Sequence, residues 1–240
     1  MTDRAVILVG GKGTRLAPYT AVLPKPLMPL GDTTILEVVL RQLANRGFEE
    51  AVLAVGHMAG LIEAFVGTGE KAGIAVRYSS ETQPLGTAGP ISLIEGLDEP
   101  FVTMNGDVLT TLDYAEFLRA HRESDAEMTI AAVARRNVVD FGIVESDEGG
   151  RLTGYIEKPE TAFRVSMGVN AISPSALDVL VPGERADIPD LARRLVAAGR
   201  VVRVWPFDGY WLDIGRHDDF ATAQAEFESR KAELLGDAIG

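Results

Sequence analysis

The chain has 240 residues, 46% of them hydrophobic, and a formal charge of −12 from 35 acidic and 23 basic side chains. That is ample apolar material for a core and too negative a balance for general attraction to nucleic acid, and no run reaches the roughly 20 apolar residues that a membrane helix needs. Cysteine is absent, which excludes a disulfide scaffold and a thiolate metal site; with no leader-like N-terminus, a cytoplasmic protein is expected.

The first predicted element is the short apolar run Ala5–Val9, bounded by glycine as a fully buried strand would be. It breaks into "GGKGTRL", where Gly10, Gly11 and Gly13 let the backbone approach something bulky and Thr14 and Arg15 follow. Lys25 comes ten residues later, fenced by Pro24 and Pro26. A helix is predicted from the capping residues Asp32–Thr34 through Ile35, Leu36, Val39, Leu40 and Leu43 to Gly47. "EAVLAVG" is the next strand, Leu61–Phe65 a short helix, and "IAVRYS" from Ile74 a third strand. "TAGPISLIEGL" from Thr87 reads as a helix with Pro90 in its first turn, and "PFVTMNGD" as the fourth strand. Strands and helices that alternate on short connections predict a mainly parallel, doubly wound sheet, with its site beyond the carboxyl ends of the strands.

The second half reads differently. "EMTIAAVARR", "FGIVES", "RLTGYIEKP" and "RVSMGVNAISP" are strand-like pieces parted by turn signals, expected to add sheet to the same core, and helices return at Ile188–Ala198 and Asp219–Leu235. No linker, repeat or low-complexity tract divides the chain, so one domain, 1–240, is expected, in two lobes of 1–112 and 113–240.

The glycine loop fits neither common phosphate template. Leu16 stands where a dinucleotide fingerprint needs its third glycine, and Gly13 where a P-loop needs serine or threonine. Arg15 and Lys25 beside it supply a forked donor and a point charge, which suggests a polyphosphate. Asp107 closes the apolar "TMNGD" and Asp213 follows the apolar "YWL". Either aspartate alone reads equally well as a turn cap; together, beside a polyphosphate loop, they make a site for Mg²⁺, which takes few carboxylates and completes its shell with water and phosphate oxygens. Glu157 and Lys158 end another strand-like run, where an exposed ion pair is the plain alternative. The three histidines accompany no nucleophile motif, and Met58, Met104, Met128 and Met167 are expected to fill core gaps.

"GGKGTRLAPYT" followed by "LPKPLMPLG" resembles the signature of the sugar-1-phosphate nucleotidylyltransferases, GGxGTRLxPLT with PKPxxP after it. "QPLGTAG", "NGDVL", "FGIV", "EKP", "VSMGV" and "WLDIGRHDDFATA" follow in that family's order, so the resemblance covers nearly the whole chain. It implies a Rossmann-like α/β three-layer sandwich of the glycosyltransferase-A-like nucleotidyltransferase fold, with a nucleotide-binding first half and a sugar-phosphate-binding second half. The implied reaction is Mg²⁺-dependent transfer of a nucleoside monophosphate from an NTP to a sugar 1-phosphate, giving an NDP-sugar and pyrophosphate. The implied catalytic residues are Arg15, Lys25, Asp107 and Lys158. The nucleotide would lie on Gly10, Gly11, Gly13, Thr14, Arg15, Gln83, Gly86, Thr87 and Asp107, the sugar phosphate on Gly142, Glu157, Lys158, Ser166 and Gly168, and the metal on Asp107 and Asp213. Gly142 would back the sugar, and Gly86 and Gly89 would let the nucleobase come close.

"PLGTAG" and "PKP" resemble guanylyltransferases acting on mannose- or heptose-type phosphates, which favours GTP; Gln83 suits a pyrimidine, which keeps dTTP or UTP as the alternative. Two rivals come from other classes: a catalytically silent, nucleotide-sugar-binding regulatory homologue, and a glycosyltransferase of related fold, whose customary Asp-x-Asp pair this chain lacks at these positions. The expected partners are thus NTP and sugar 1-phosphate, with no nucleic acid and no membrane; family members often form dimers or tetramers, which leaves a homo-oligomer open. No β-helix or acyltransferase domain of the kind that longer relatives carry is expected past Leu235.

Overall fold

In the computed structural model, which describes residues 2–235, the first apolar run forms strand β1 (Arg4–Leu8), whose Ala5, Val6 and Ile7 are wholly buried. A strand can be apolar on both sides only if both faces are covered, and β1 lies between two parallel neighbours, β4 (Glu50–Val55) and β6 (Phe101–Asn105). Between β1 and β4 come the small ladder of β2 (Pro29–Leu30) and β3 (Thr33–Thr34) and helix α1 (Ile35–Asn45). Thr34 caps α1 by accepting from the Glu37 N–H at 3.2 Å. Helix α2 (Ala59–Val66) leads to β5 (Ala75–Ser80), the outer strand beside β4.

The second half extends this sheet as the sequence predicts. Strands β8 (Met128–Val138) and β11 (Glu160–Ile172) join it, β11 running antiparallel to both β6 and β8. A final strand, β12 (Val202–Phe207), lies parallel to β8 and completes the seven-stranded order β12-β8-β11-β6-β1-β4-β5. Only β11 runs against the rest, so the sheet is mixed and mainly parallel.

Helices cover both faces. On one, Leu36, Val39, Leu40 and Leu43 of α1 and Tyr114, Phe117 and Leu118 of α3 (Tyr114–Arg122) pack with Ile7, Leu53 and Met104. On the other, Leu191 and Leu195 of α4 (Ile188–Ala197) pack with Val6, Val52, Phe101 and Ile172. Helix α5 (His217–Leu235) seals a third cluster with Phe220 and Phe227 against Leu16, Met28, Leu30 and Ile35, directly beneath the glycine loop. No described helix is long and apolar enough to cross a membrane.

Four features depart from the sequence expectation. The helix expected from Thr87 is a short 3₁₀ turn, Gly89–Leu93, because the N–H groups of Ala88 and Gly89 donate to the Ala186 carbonyl at 2.9 and 3.0 Å and Pro90 has none to give. Strand β12 contains Pro206, tolerated because the strand is an edge. "FGIVES" and "RLTGYIEKP" leave the main sheet: β9 (Ile143–Ser146) and β10 (Leu152–Ile156) pair only with each other as a projecting hairpin. Met58 adopts φ 57 ahead of α2 and is half-buried, whereas Met104, Met128 and Met167 are buried as expected. The chain past Leu235 lies outside the described residues.

Candidate active site

The carboxyl ends of β1, β4 and β6 open into a cleft of about 820 Å³. Its lining includes Gly10, Gly11, Gly13, Thr14, Arg15, Lys25, Gln83, Gly86, Thr87 and Asp107, which brings these residues expected at the nucleotide to one place, whereas Gly89, expected beside the nucleobase, is not among the lining residues. The glycine loop is held from below. Gly13 sits at φ 60, a left-handed conformation that a side chain would strain, and its carbonyl accepts from the Thr20 hydroxyl at 2.9 Å. Leu16, wholly buried over α5, anchors the turn that carries Arg15.

Lys25 is 92% buried, and its ammonium donates to Oδ2 of Asp107. The other oxygen of that carboxylate, Oδ1, is buried with no hydrogen-bond partner. Asp213 reaches the same spot through a short antiparallel ladder: β13 (Trp211–Asp213) pairs with β7 (Val108–Thr110), Asp213 falls opposite Val108, and the N–H of Ile214 donates to the Asp107 carbonyl at 3.1 Å. Burial and, second, the Asp107 carboxylate push Asp213 above the usual carboxylate range, while Lys25 and Arg15 pull the other way.

Two repelling carboxylates, one with an orphaned oxygen, fit a divalent cation. Among the described residues no group of three metal-ligating side chains gathers anywhere. A cation here would therefore take oxygen ligands from water and substrate, the habit of Mg²⁺.

The loop of Gln83–Gly89 has a second employment. The Thr87 N–H donates to Oδ1 of Asp187 at 3.0 Å and its hydroxyl accepts from the Ile188 N–H at 2.8 Å, so Thr87 lines the cleft while holding the start of α4. Gly86, at φ 83, and Gly89 lie so close to the 184–187 segment that an added Cβ would fall 2.6 Å from the Ala186 carbonyl oxygen in the first case and 2.4 Å from that of Glu184 in the second. Their glycines are needed for this docking, a reason distinct from close approach of a base.

The sugar-phosphate residues divide. Ser166 and Gly168 lie at a bulge in β11, where the register jumps between Ser166 and Asn170; Gly168, at φ 73, faces Asn105, which lines the cleft. Gly142, Glu157 and Lys158 belong to the projecting hairpin and line no described cavity. Gly142 backs onto Tyr155, whose hydroxyl would lie 2.4 Å from an added Cβ, so its nearest neighbour is a ring of its own hairpin rather than open space for a sugar. Lys158 is exposed at φ 44, a conformation uncommon for any residue but glycine. His217 begins α5, and its Nε2 lies 2.9 Å from the Ala17 carbonyl, tying the Arg15 loop to the helix.

The cleft lining also includes Lys12, His57, Glu81 and Asn105, which motif reasoning did not single out. Glu81 stands behind the loop: Oε2 accepts from the Leu85 N–H at 2.9 Å, and Oε1 would be 3.1 Å from a Cβ on Gly10. Its only sequence signal is an acidic residue two places before Gln83.

Comparison with known proteins places this cleft in context. The family model described as "Nucleotidyl transferase" matches residues 4–230. A mannose-1-phosphate guanyltransferase of Yarrowia lipolytica is 34% identical over 248 residues, covering 98% of this chain and 67% of its own. A UTP–glucose-1-phosphate uridylyltransferase of Synechocystis is 31% identical, covering 90% and 61%. Among solved structures, HddC from Yersinia pseudotuberculosis complexed with GMP-PN superposes with a TM-score of 0.72 at 24% identity, covering 94% of this chain and all of that one. A UDP-glucose pyrophosphorylase complexed with UDP-glucose superposes at 0.70 and 18% identity, covering 96% and 100%. These superpositions establish the three-layer α/β fold of that group, and the family match extends over the loop, both aspartates and the hairpin: the chain belongs to the nucleotidyl transferase family.

Proposed function

We propose that the chain transfers a nucleoside monophosphate from an NTP to a sugar 1-phosphate, releasing pyrophosphate, with GTP the favoured donor and Mg²⁺ the metal. The observation that carries this reading is the convergence, in one cleft, of a glycine loop, Arg15, Lys25 and Asp107, with Asp213 brought beside Asp107 by the β7–β13 ladder. A phosphate monoester has its second pKa near 6 and is already a nucleophile at neutral pH, so the site needs no general base. What opposes reaction is repulsion between two anions and the charge gathering on the departing pyrophosphate. Loop N–H groups and Arg15 hold the triphosphate, and Lys25 places fixed positive charge beside it. A Mg²⁺ ion held by Asp107 and Asp213 would supply further charge neutralisation when bound. Lys158 and Glu157 contribute to acceptor binding on this reading by virtue of the hairpin's strained lysine, and Ser166 and Gly168 by their place at the β11 bulge.

GTP is supported by Glu81 as well as by the guanylyltransferase names among the relatives. Guanine offers two adjacent donors, N1–H and N2–H, to a carboxylate, whereas thymine and uracil offer one donor between two acceptors. Gln83 in the same wall keeps dTTP and UTP as the second choice.

The test is pyrophosphate release from each NTP with Mg²⁺ and a panel of sugar 1-phosphates, in the native protein and in Arg15→Ala. Turnover with GTP, lowered on the order of a hundredfold or more in the variant, supports the assignment. Release with no NTP leaves the silent, nucleotide-sugar-binding homologue as the surviving reading.

A further inference from the structure

Arginine dominates the basic side chains of this acidic chain, and most of it is neutralised locally. Among the described residues twelve of the 18 arginines hold an ion pair with a carboxylate. Three that do not, Arg15, Arg135 and Arg216, line one cavity of about 330 Å³ together with Trp211, Asp213 and Asp219. Arg15 lines the nucleotide cleft as well, so its guanidinium stands between the two spaces.

The cavity is built rather than incidental. Arg135 comes from β8, and its guanidinium carbon lies 5.2 Å from the centroid of the Trp211 ring, which steadies the fork without using its donors. The ring is itself fixed by a 2.9 Å bond from Nε1 to the Met167 carbonyl. Arg216 precedes α5, and its backbone N–H and that of Gly215 donate to Oδ2 of Asp219 at 2.7 and 3.1 Å, so this oxygen is occupied at the start of the helix. Asp213 lines the cavity as well, within electrostatic reach of Asp107, Lys25 and Arg15. Three forked cations thus outnumber the two carboxylates that line the cavity, a donor set suited to a phosphate dianion.

We propose that Arg135, Arg216 and Arg15 form a phosphate site distinct from the triphosphate cleft. Two sources of that dianion exist: the phosphate of the acceptor, which would then meet the donor across Arg15, or free inorganic phosphate. The first rests on the nucleotidyl-transfer reading above; the second does not.

Inorganic phosphate titrated calorimetrically into the full chain tests the site without reference to activity. Arg135→Gln and Arg216→Gln each weaken phosphate binding at least tenfold, the loss of one charge-assisted contact. Arg151→Gln, which removes an exposed arginine from the hairpin, leaves it unchanged. Kinetics then separate the sources. If the acceptor uses the site, phosphate competes with the sugar 1-phosphate, whose KM rises in both variants while the NTP KM holds. If free phosphate uses it, inhibition is non-competitive and the acceptor KM stays put. The proposal is overturned if the unaltered chain binds no phosphate at millimolar concentration, if both variants bind it normally, or if Arg151→Gln weakens it equally. Arginine-dependent phosphate binding in a chain that turns over no NTP keeps the site and discards the reaction.

Discussion

The pairing of Lys25 with Asp107 determines both how the cleft holds together and how it works, and a double-mutant cycle measures it. The perturbations are Lys25→Met, which keeps the length and drops the charge, Asp107→Asn, and the two combined. An exposed pair couples by about 0–1 kcal/mol and breaking a buried one costs about 3–5 kcal/mol. Here the side chains are 10% and 21% exposed, between those limits, so a coupling of about 2 kcal/mol is expected. The singles should be unequal. Removing Lys25 leaves the Asp107 and Asp213 carboxylates facing each other with Arg15 as the remaining counter-charge named at the site, whereas Asp107→Asn relieves that repulsion and leaves Lys25 the carboxylate of Asp213. Lys25→Met is therefore the least stable of the four proteins, by about 3 kcal/mol. Urea unfolding at pH 7 with a chelator present provides the stabilities, and pyrophosphate release the turnover, which falls on the order of a hundredfold in either single. A coupling under about 0.5 kcal/mol, or Asp107→Asn as the weaker protein, would refute the reasoning.

Acid should loosen the fold through His121, which is 2% exposed between the Thr129 hydroxyl at 2.8 Å and the Ser173 hydroxyl at 3.1 Å. Burial, with Arg122 second, lowers its pKa from 6.5 to about 4. The unfolded chain thus takes up a proton before the folded one, so stability is full above pH 6.5 and drains as pH falls toward 4, by about 2 kcal/mol between pH 7 and 5. His121→Asn, which cannot titrate, should lose that much less over the same interval in urea melts; equal losses would show the ring to be uninvolved. Gly86→Ala forces a Cβ to 2.6 Å from the Ala186 oxygen at a left-handed φ of 83, and should cost about 3 kcal/mol, seen by calorimetry as a fall in Tm of about 10 °C. A fall under about 2 °C would mean that the loop does not dock on α4 as described.

The elements legible in the sequence are those with a long apolar signal. β1, β4 and β6 read as buried runs, and α1 as a capped 3.6-residue period, because burial on both faces or one stripe leaves a pattern in the residues themselves. Helix α3 carried a usable signal, Asp113 accepting from the N–H groups of Ala115 and Glu116, but it is short and mostly polar on its open side. β12 was masked by Pro206, and β7 and β13 by being three residues long, too short for any period. At the site, glycines, Arg15, Lys25 and both aspartates were visible as charges interrupting apolar runs. Arg135, Arg216 and Glu81 were not, since their significance lies in which neighbours fold against them and in which arginines are left without an acid. The hairpin bearing Glu157 and Lys158 was readable by motif, but its departure from the main sheet depends on pairing that local sequence does not encode.

The ladder of β7 with β13 joins carboxylates from distant parts of the message. A ribosome must have delivered the segment beyond Asp213 from its tunnel before those two oxygens can meet. Nascent chains and copies terminated before Asp213, however well their early strands fold, therefore lack the paired carboxylates.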